Sequence, residues 1–437
     1  MEVLAGFAKY ETYKSSGVDW LEDIPEMWSI VPAKRKHRVE KLINKRNKYK
    51  NVLSLTLRGV VNNDSDNPEG LVPRDYASYQ LFEKDDLVFK LIDLENLKTS
   101  RVGIVHEQGI MSPAYIRLEI NDQGCSKYAY YYFYSLYLNA VYNNLGQGVR
   151  STLGPSDLLE IPIIEPRYEE QVAIACFLDN RLIQIDEAIA LKERQITLLK
   201  ERKQIIIQKA VTQGLDPDVS MKDSGVEWIG EIPEHWDISR ISFLSSKVGD
   251  GLHGTPNYVD ESPYPFINGN NIGDGEVVIT ERTKFVSEEE YLNNKKTLTN
   301  NTLLMSINGT IGNLAFYNGE SIMLGKSAAY INLESDVNKE FVYYYLKSSI
   351  AADYINRELS GSTIKNLSLY SIDKTPVPYP SKVEQDDIVS HIKLGILRVD
   401  EIINKSKKEI ELIKEYKTAL ISEVVTGKVD VRDEKIN

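Results

Sequence analysis

"KSSGVDWLEDIPEMWSI" at residues 14–30 returns as "KDSGVEWIGEIPEHWDI" at residues 222–238, 208 positions later, with ten of seventeen residues identical. The shared set includes Trp20/Trp228, Pro25/Pro233 and Trp28/Trp236. Self-similarity at a long fixed period decides the architecture before any local reading does. The repeat continues downstream. "SPAYIRLE" (112–119) answers "SAAYINLE" (327–334), and "KYAYYYFYSLYLNAVYNN" (127–144) answers "EFVYYYLKSSIAADYINR" (340–357). "LLEIPIIEP" (158–166) answers "SIDKTPVPYP" (371–380), aligning Pro162 with Pro376, and "EEQVAI" (169–174) answers "VEQDDI" (383–388). The offset drifts only from 208 to about 214, so one unit is present twice in the 437 residues.

Each unit has the same internal order. The opener is followed by a middle with short β-type runs such as "LVPRDY", "DDLVFKLI" and "VGIVHE", punctuated by Gly, Asn and Pro. The Tyr-rich stretch has helical spacing and reads as an amphipathic helix packing aromatics into a core. A long helix closes the unit. Leu182, Ile185, Ile189, Ile196, Leu199, Ile206 and Ala210 occupy a and d positions of one heptad register, and Ile396, Val399, Ile403, Ile410, Ile413, Leu420 and Val424 repeat them 214 residues on. This is a coiled-coil seam, interrupted by Lys192 and Lys203 in the first helix and at the same places by Ser406 and Lys417 in the second; such polar insertions fix register. Two matched seams in one chain pair most simply with each other. If the units are equivalent they are related by a pseudo-twofold, which makes the helices antiparallel. About 35–40 residues at 1.5 Å each predict a rod of roughly 55 Å. Gly214 and Pro217 supply stop signals for the first helix. The Trp, Pro and Gly of the opener supply no acid, base or nucleophile, and two Trp around Ile-Pro read as an apolar clamp fastening each globular part to the helices.

Composition sets bounds. Length allows two or three domains. No apolar run reaches the ~18–20 residues of a membrane helix, and the N-terminus lacks a signal-peptide pattern. Two cysteines, Cys125 and Cys176, argue against a disulfide framework and for a reducing cytoplasm. Five scattered histidines without a C-x-x-C pair argue against zinc. A P-loop, a G-x-S-x-G elbow, an H-E-x-x-H helix and an Asn/Asp-Pro-Pro-aromatic motif of amino-methyltransferases are all missing. "GTIGN" (309–313) and "GDGLHGTP" (249–256) are Gly-rich, but neither follows a strand and opens a helix. Asp85–Asp86 reads as a turn. The chain carries no recognisable catalytic set, and no cofactor of its own is expected.

The net charge is −12, but local potential matters more than the total. Residues 34–50, "KRKHRVEKLINKRNKYK", hold nine Lys/Arg against one Glu. In isolation such a run is as often a solvated face as a binding site.

Taken together, the duplicated opener "SGVxWxxxIPxxW", the "EQxxI" start of each helix and the helix ends "AVTQG" (210–214) and "VVTGK" (424–428) resemble the specificity subunit of type I restriction–modification systems. The resemblance spans essentially the whole chain, though the middles carry none of its specific motifs. It implies an α+β chain with an internal pseudo-twofold repeat. Two tandem globular target-recognition domains (1–166 and 215–380) would be joined and separated by two long antiparallel coiled-coil helices (167–214, and 381–437 with the tail). It further implies a cytoplasmic, non-catalytic subunit that reads a bipartite site on double-stranded DNA. The subunit would guide two S-adenosylmethionine-dependent methyltransferase subunits and, through the assembled complex, ATP-dependent restriction subunits. Against that partner the basic run becomes a phosphate-contact candidate: Lys34, Arg35, Lys36, Arg38, Lys41, Lys45, Arg46 and Lys48. For base readout, Arg58, Asn62, Asn63, Arg74, Lys90 and Arg101 fall in or near turns of the first middle. Lys247, His253, Asn268, Asn270, Asn271, Asn308, Lys326 and Lys365 do so in the second. Asn and Arg can make bidentate contacts, Asn to an adenine edge and Arg to a guanine edge; for each Asn, a turn residue holding its own backbone is the bland alternative. No basic run opens the second middle. Two other classes stay open on the residues alone: a DNA-modifying enzyme with an unrecognised site, and a coiled-coil scaffold that binds only proteins.

Overall fold

A computed structural model describes residues 6–63, 76–95, 99–121, 124–146, 152–361 and 365–434. The chain forms two compact units, one from Met1–Lys192 with Lys407–Asn437, the other from Glu193–Ser406. Each therefore contains part of both long helices.

In unit 1 a four-stranded antiparallel sheet is built from β1 (His37–Val39), β2 (Leu87–Phe89), β3 (Val102–Ile104) and β4 (Ile116–Ile120), in the order β1-β4-β2-β3. Unit 2 builds the same order, β5-β8-β6-β7, from β5 (Ser245–Asp250), β6 (Thr302–Ser306), β7 (Leu314–Phe316) and β8 (Ala328–Leu333). Middles whose sequence repeats only around β4 and β8 thus share a sheet. Beside it each unit pairs the strand after the opener with the strand before its long helix: Ser29–Pro32 with Pro162–Glu165, and Asp237–Arg240 with Pro376–Tyr379. The Tyr-rich stretches are helical, α1 (Ser126–Leu138) and α3 (Lys339–Leu346), each followed by a second short helix. Their fully buried tyrosines have anchored hydroxyls: Tyr132 donates to the Pro162 carbonyl at 2.8 Å, and Tyr345 to the Pro376 carbonyl at 2.6 Å.

The long helices are α2 (Tyr168–Gln213, 46 residues) and α4 (Lys382–Val425, 44 residues). They are longer than the seam predicts, about 65–70 Å at 1.5 Å per residue, because each starts directly after the preceding strand. In unit 1 the first part of α2 runs against the last part of α4, and in unit 2 the last part of α2 runs against the first part of α4. Every apolar seam position is buried or half-buried. The three lysine interruptions are paired across the seam, and Ser406 is buried. Lys203 meets Asp400 at 2.8 Å in unit 2, and 214 residues later Lys417 meets Asp186 at 2.6 Å in unit 1. Lys192 meets Glu409 at 2.5 Å.

The openers act as the clamp expected. In unit 1 the Trp28 indole N–H donates to Glu170 of α2 at 3.0 Å, and Trp28 packs on Gly427, just past the end of α4. In unit 2 Trp236 donates to Glu384 of α4 at 2.9 Å and packs beside Gly214, just past the end of α2. One tryptophan therefore fixes the start of one helix and the end of the other. Both glycines have left-handed backbones (φ +76° and +74°), and a Cβ on Gly427 would stand 2.7 Å from the Trp28 ring. The glutamine after each glutamate ties in the Tyr helix: Gln171 accepts from the Cys125 amide at 3.1 Å and Gln385 from the Asn338 amide at 2.8 Å. This accounts for the repeated "EQ".

Candidate nucleic-acid interface

The 34–50 run does not present one basic face. Lys34 pairs with Glu160 at 2.7 Å, Lys36 pairs with Glu165, and Arg38 holds Glu119 at 2.8 Å, keeping that carboxyl below the usual range. These carboxylates belong to "LLEIPIIEP" and "RLE", segments far away in sequence. Arg35 and Lys36 instead border a cavity of about 290 Å³ with His37, Tyr128, Tyr132 and Gln171. Burial lowers the His37 pKa to about 4, so the ring is neutral at neutral pH.

The cations at the far end of the run behave differently. Lys41, Lys45, Arg46 and Lys48 are exposed and form no ion pair among the described residues. Their loop is pinned from beneath by the buried Asn44. Its amide donates to the Tyr49 carbonyl at 2.9 Å and the Tyr76 carbonyl at 3.2 Å, and its oxygen accepts the Tyr49 amide at 2.9 Å. Arg46 and Asn47 both take positive φ (65° and 51°) at the tip. A non-Gly pair in that region is held there by its surroundings. Asn44 carries no chemistry of its own, and only its contacts reveal its role.

Arg58 caps the turn between strands Leu53–Thr56 and Gly59–Asn62 and lines a groove of about 760 Å³ with Lys127, Tyr130, Tyr134 and Lys417. Asn62 donates to Glu107 at 2.5 Å and Asn63 to Ser54 at 3.2 Å. Lys90 is half-buried, and burial lowers its pKa. Arg74 lies outside the described residues. Arg101, expected as a turn cation, is buried, and its guanidinium donates to the Asp93 carbonyl at 2.8 Å and the Ile92 carbonyl at 3.4 Å. It is a structural tie. Asp86 closes a turn, as read, its amide donating to the Glu83 carbonyl at 3.2 Å, but it is also buried and grips Arg117 through two bonds of 2.5 and 3.1 Å. Burial raises its pKa against the opposing pull of Arg117.

In unit 2 the polar loops divide into scaffold and display. Asn271 is buried, donating to the Val278 carbonyl and to Thr283, both at 3.0 Å. Asn268 accepts from Ser327 at 2.9 Å. His253 pairs with Asp250 at 2.8 Å. The two asparagine side chains are committed internally, whereas His253 is exposed. Lys247, Asn270, Lys326 and Lys365 are exposed and Asn308 half-exposed, with no side-chain bond among the described residues. The Gly-rich "GDGLHGTP" joins this set through a bridge from Leu252 to Gly325. Among the described residues no group of three or more His, Cys, Asp or Glu is placed to hold a metal, and no helix is long and apolar enough to cross a membrane.

A family model described as type I restriction modification DNA specificity domain matches residues 30–201 and again 249–412. The chain is 24% identical to a putative type I restriction enzyme MjaX specificity subunit of Methanocaldococcus jannaschii, over 99% of this chain and 100% of that one. It is 22% identical to the type I restriction enzyme EcoBI specificity subunit of Escherichia coli, over 74% and 70%. A solved chain of a type I R-M system superposes with a TM-score of 0.70 at 15% identity, covering 93% of this chain and 99% of that one. The HsdS subunit from Thermoanaerobacter tengcongensis gives a TM-score of 0.54 at 14% identity, over 93% and 98%.

Proposed function

The chain belongs to the type I restriction modification DNA specificity domain family, and from that premise we propose that each unit reads one half of a bipartite DNA site while α2 and α4 set the spacer. It is a non-catalytic specificity subunit, DNA-binding, of the kind that assembles with modification and restriction subunits. The finer assignments are our own: two methyltransferase subunits per chain, restriction subunits joined only through the assembled complex, and a cytoplasmic location. Residues 1–166 and 215–380 are assigned as the two target-recognition domains, and 167–214 and 381–437 as the helices with the tail.

The observation that carries this reading is the division within each unit. The sheet order, the opener clamp and the helix seam are the same twice, whereas the loops displayed beside the sheets differ. Two identical readers would demand identical half-sites; two divergent loop sets on one frame suit an asymmetric site. Phosphate contact is assigned to Arg35, Lys41, Lys45, Arg46 and Lys48 in unit 1 and to Lys247 and Lys365 in unit 2, because neutralising phosphates supplies most sequence-independent affinity. Arg58 and Lys90 are retained as secondary candidates.

Single-molecule methylome sequencing tests the reading in cells carrying this chain with its methyltransferase, against a deletion of this chain alone. A methylated bipartite motif that vanishes on deletion is expected. A motif that persists without the chain would refute it. Removing one heptad from each helix should change the spacer and leave both half-sites intact; altered half-sites with an unchanged spacer would refute the role given to the helices.

A further inference from the structure

We propose that unit 2 reads purine edges of its half-site in the major groove through Asn270, Asn308 and Lys326, three side chains displayed from one fused loop junction. The inference rests on the DNA-recognition reading above and sharpens it.

Three loops meet at this junction, at residues 268–271, 306–310 and 325–327. The Gly269 amide donates to the Ser327 hydroxyl at 2.9 Å, and that hydroxyl donates to Asn268 Oδ1 at 2.9 Å. Thr310 Oγ1 donates to the Gly269 carbonyl at 3.1 Å. The Ile307 amide donates to the Ser327 carbonyl at 3.0 Å, and the Gly325 amide to the Ile267 carbonyl at 2.8 Å. The backbones approach so closely that a Cβ on Gly269 would stand 2.5 Å from Ser306 Oγ and 2.9 Å from the Asn308 carbonyl. A fourth segment closes the edge through a bridge between Asn308 and Asn366.

The junction sorts its own polar groups. Asn268, Asn271, Thr283, Ser306, Thr310 and Ser327 are consumed by the network. Asn270 stands between a residue whose amide is tied and a residue whose side chain is buried, so its backbone is fixed while its carboxamide is exposed. Asn308 has its carbonyl held by Ser306 and its side chain unbonded. Lys326 sits at the tip of the turn whose next residue carries the network. Fixed backbone with unengaged side chains is what a reader needs, since little ordering remains to be done on binding. A carboxamide matches the N6 donor and N7 acceptor of adenine, and an ammonium matches O6 and N7 of guanine. A site built to neutralise phosphates would gather cations, whereas a carboxamide adds no charge and carries both the donor and the acceptor that a base edge requires.

The test uses this chain assembled with its methyltransferase subunits, acting on a DNA library with both half-sites randomised, followed by sequencing of the methylated products. Asn270→Ala and Asn308→Ala should each lower discrimination at a single position of one half-site by roughly 5- to 150-fold, leaving the other half and the spacer unchanged. Lys326→Met should do the same at a guanine. Asn270→Asp keeps the shape and removes the donor, so it should also relax an adenine position without lowering the melting temperature of the complex. An unchanged motif, or a uniform loss over all sequences, would overturn the assignment. If the unsubstituted complex selects no bipartite motif, the recognition reading fails as well, and the two failures are told apart by that control.

Discussion

At the same point of the repeat the two units bury different polar groups. In "SPAYIRLE" Arg117 is buried against Asp86; in "SAAYINLE" its counterpart Asn332 is buried too, accepting from Thr302 at 2.7 Å and donating to the Thr297 carbonyl at 2.8 Å. One sheet is centred on an ion pair, the other on a neutral amide. Around them the frame does not vary: Trp28–Glu170–Gly427 is answered by Trp236–Glu384–Gly214, and Tyr132 by Tyr345. The fold therefore resides in the frame, and the middles are free to change as long as each satisfies its own buried groups.

Breaking the frame should have the largest effect. Trp28→Ala removes a fully buried indole and should cost unit 1 about 3–5 kcal/mol; Trp236→Ala should do the same to unit 2. Hydrogen exchange is the measurement, with protection expected to fall chiefly in the unit that carries the substitution. Equal loss in both units from either change would mean that they do not respond separately.

The polar centres sharpen the contrast. Arg117→Met leaves Asp86 buried and unpaired and should cost about 3–5 kcal/mol. Asn332→Ala leaves only hydroxyl and carbonyl partners unmet and should cost about 1–3 kcal/mol. Asp86→Leu added to Arg117→Met should recover much of the loss; denaturant midpoints decide. The third contrast lies inside the basic run. Neutralising Arg35, Lys41, Lys45, Arg46 and Lys48 should flatten the salt dependence of DNA binding, by about 0.9 in log–log slope for each phosphate left without its cation. Neutralising Lys34, Lys36 and Arg38, already facing carboxylates, should change it much less.

The smallest effect is that of pH. His37 is neutral in the folded chain with a pKa of about 4, against 6.5 for the free side chain. As pH falls below 6.5 the unfolded chain takes up the proton first, so unit 1 should lose about 2 kcal/mol by pH 5. His37→Phe should abolish that dependence in thermal melts. Strand β5 carries no histidine, so unit 2 should lack this term.

How much of this was legible depended on the range of the interaction. The seams could be read because a 3.5-residue period is local, and their interruptions showed as breaks in it. The partners of those interruptions could not, since Lys203 and Asp400 lie 197 residues apart. The shared sheet was hidden because its strands are short and their pairing is non-local. For the same reason Lys34, Lys36 and Arg38 looked available until Glu160, Glu165 and Glu119 were brought beside them. Arg101 looked like a turn cation because nothing in its neighbours announces burial. In unit 2 the Gly- and Asn-rich stretches were visible as loops. Which asparagine faces outward is decided by contacts between loops as much as 59 residues apart.

The most direct test of two independent readers on one frame is to exchange residues 31–160 for those of another family member and sequence the methylome. One half of the motif should be replaced while the other half and the spacer stay as they were. If both halves change, or neither does, the division of recognition between the two units is wrong.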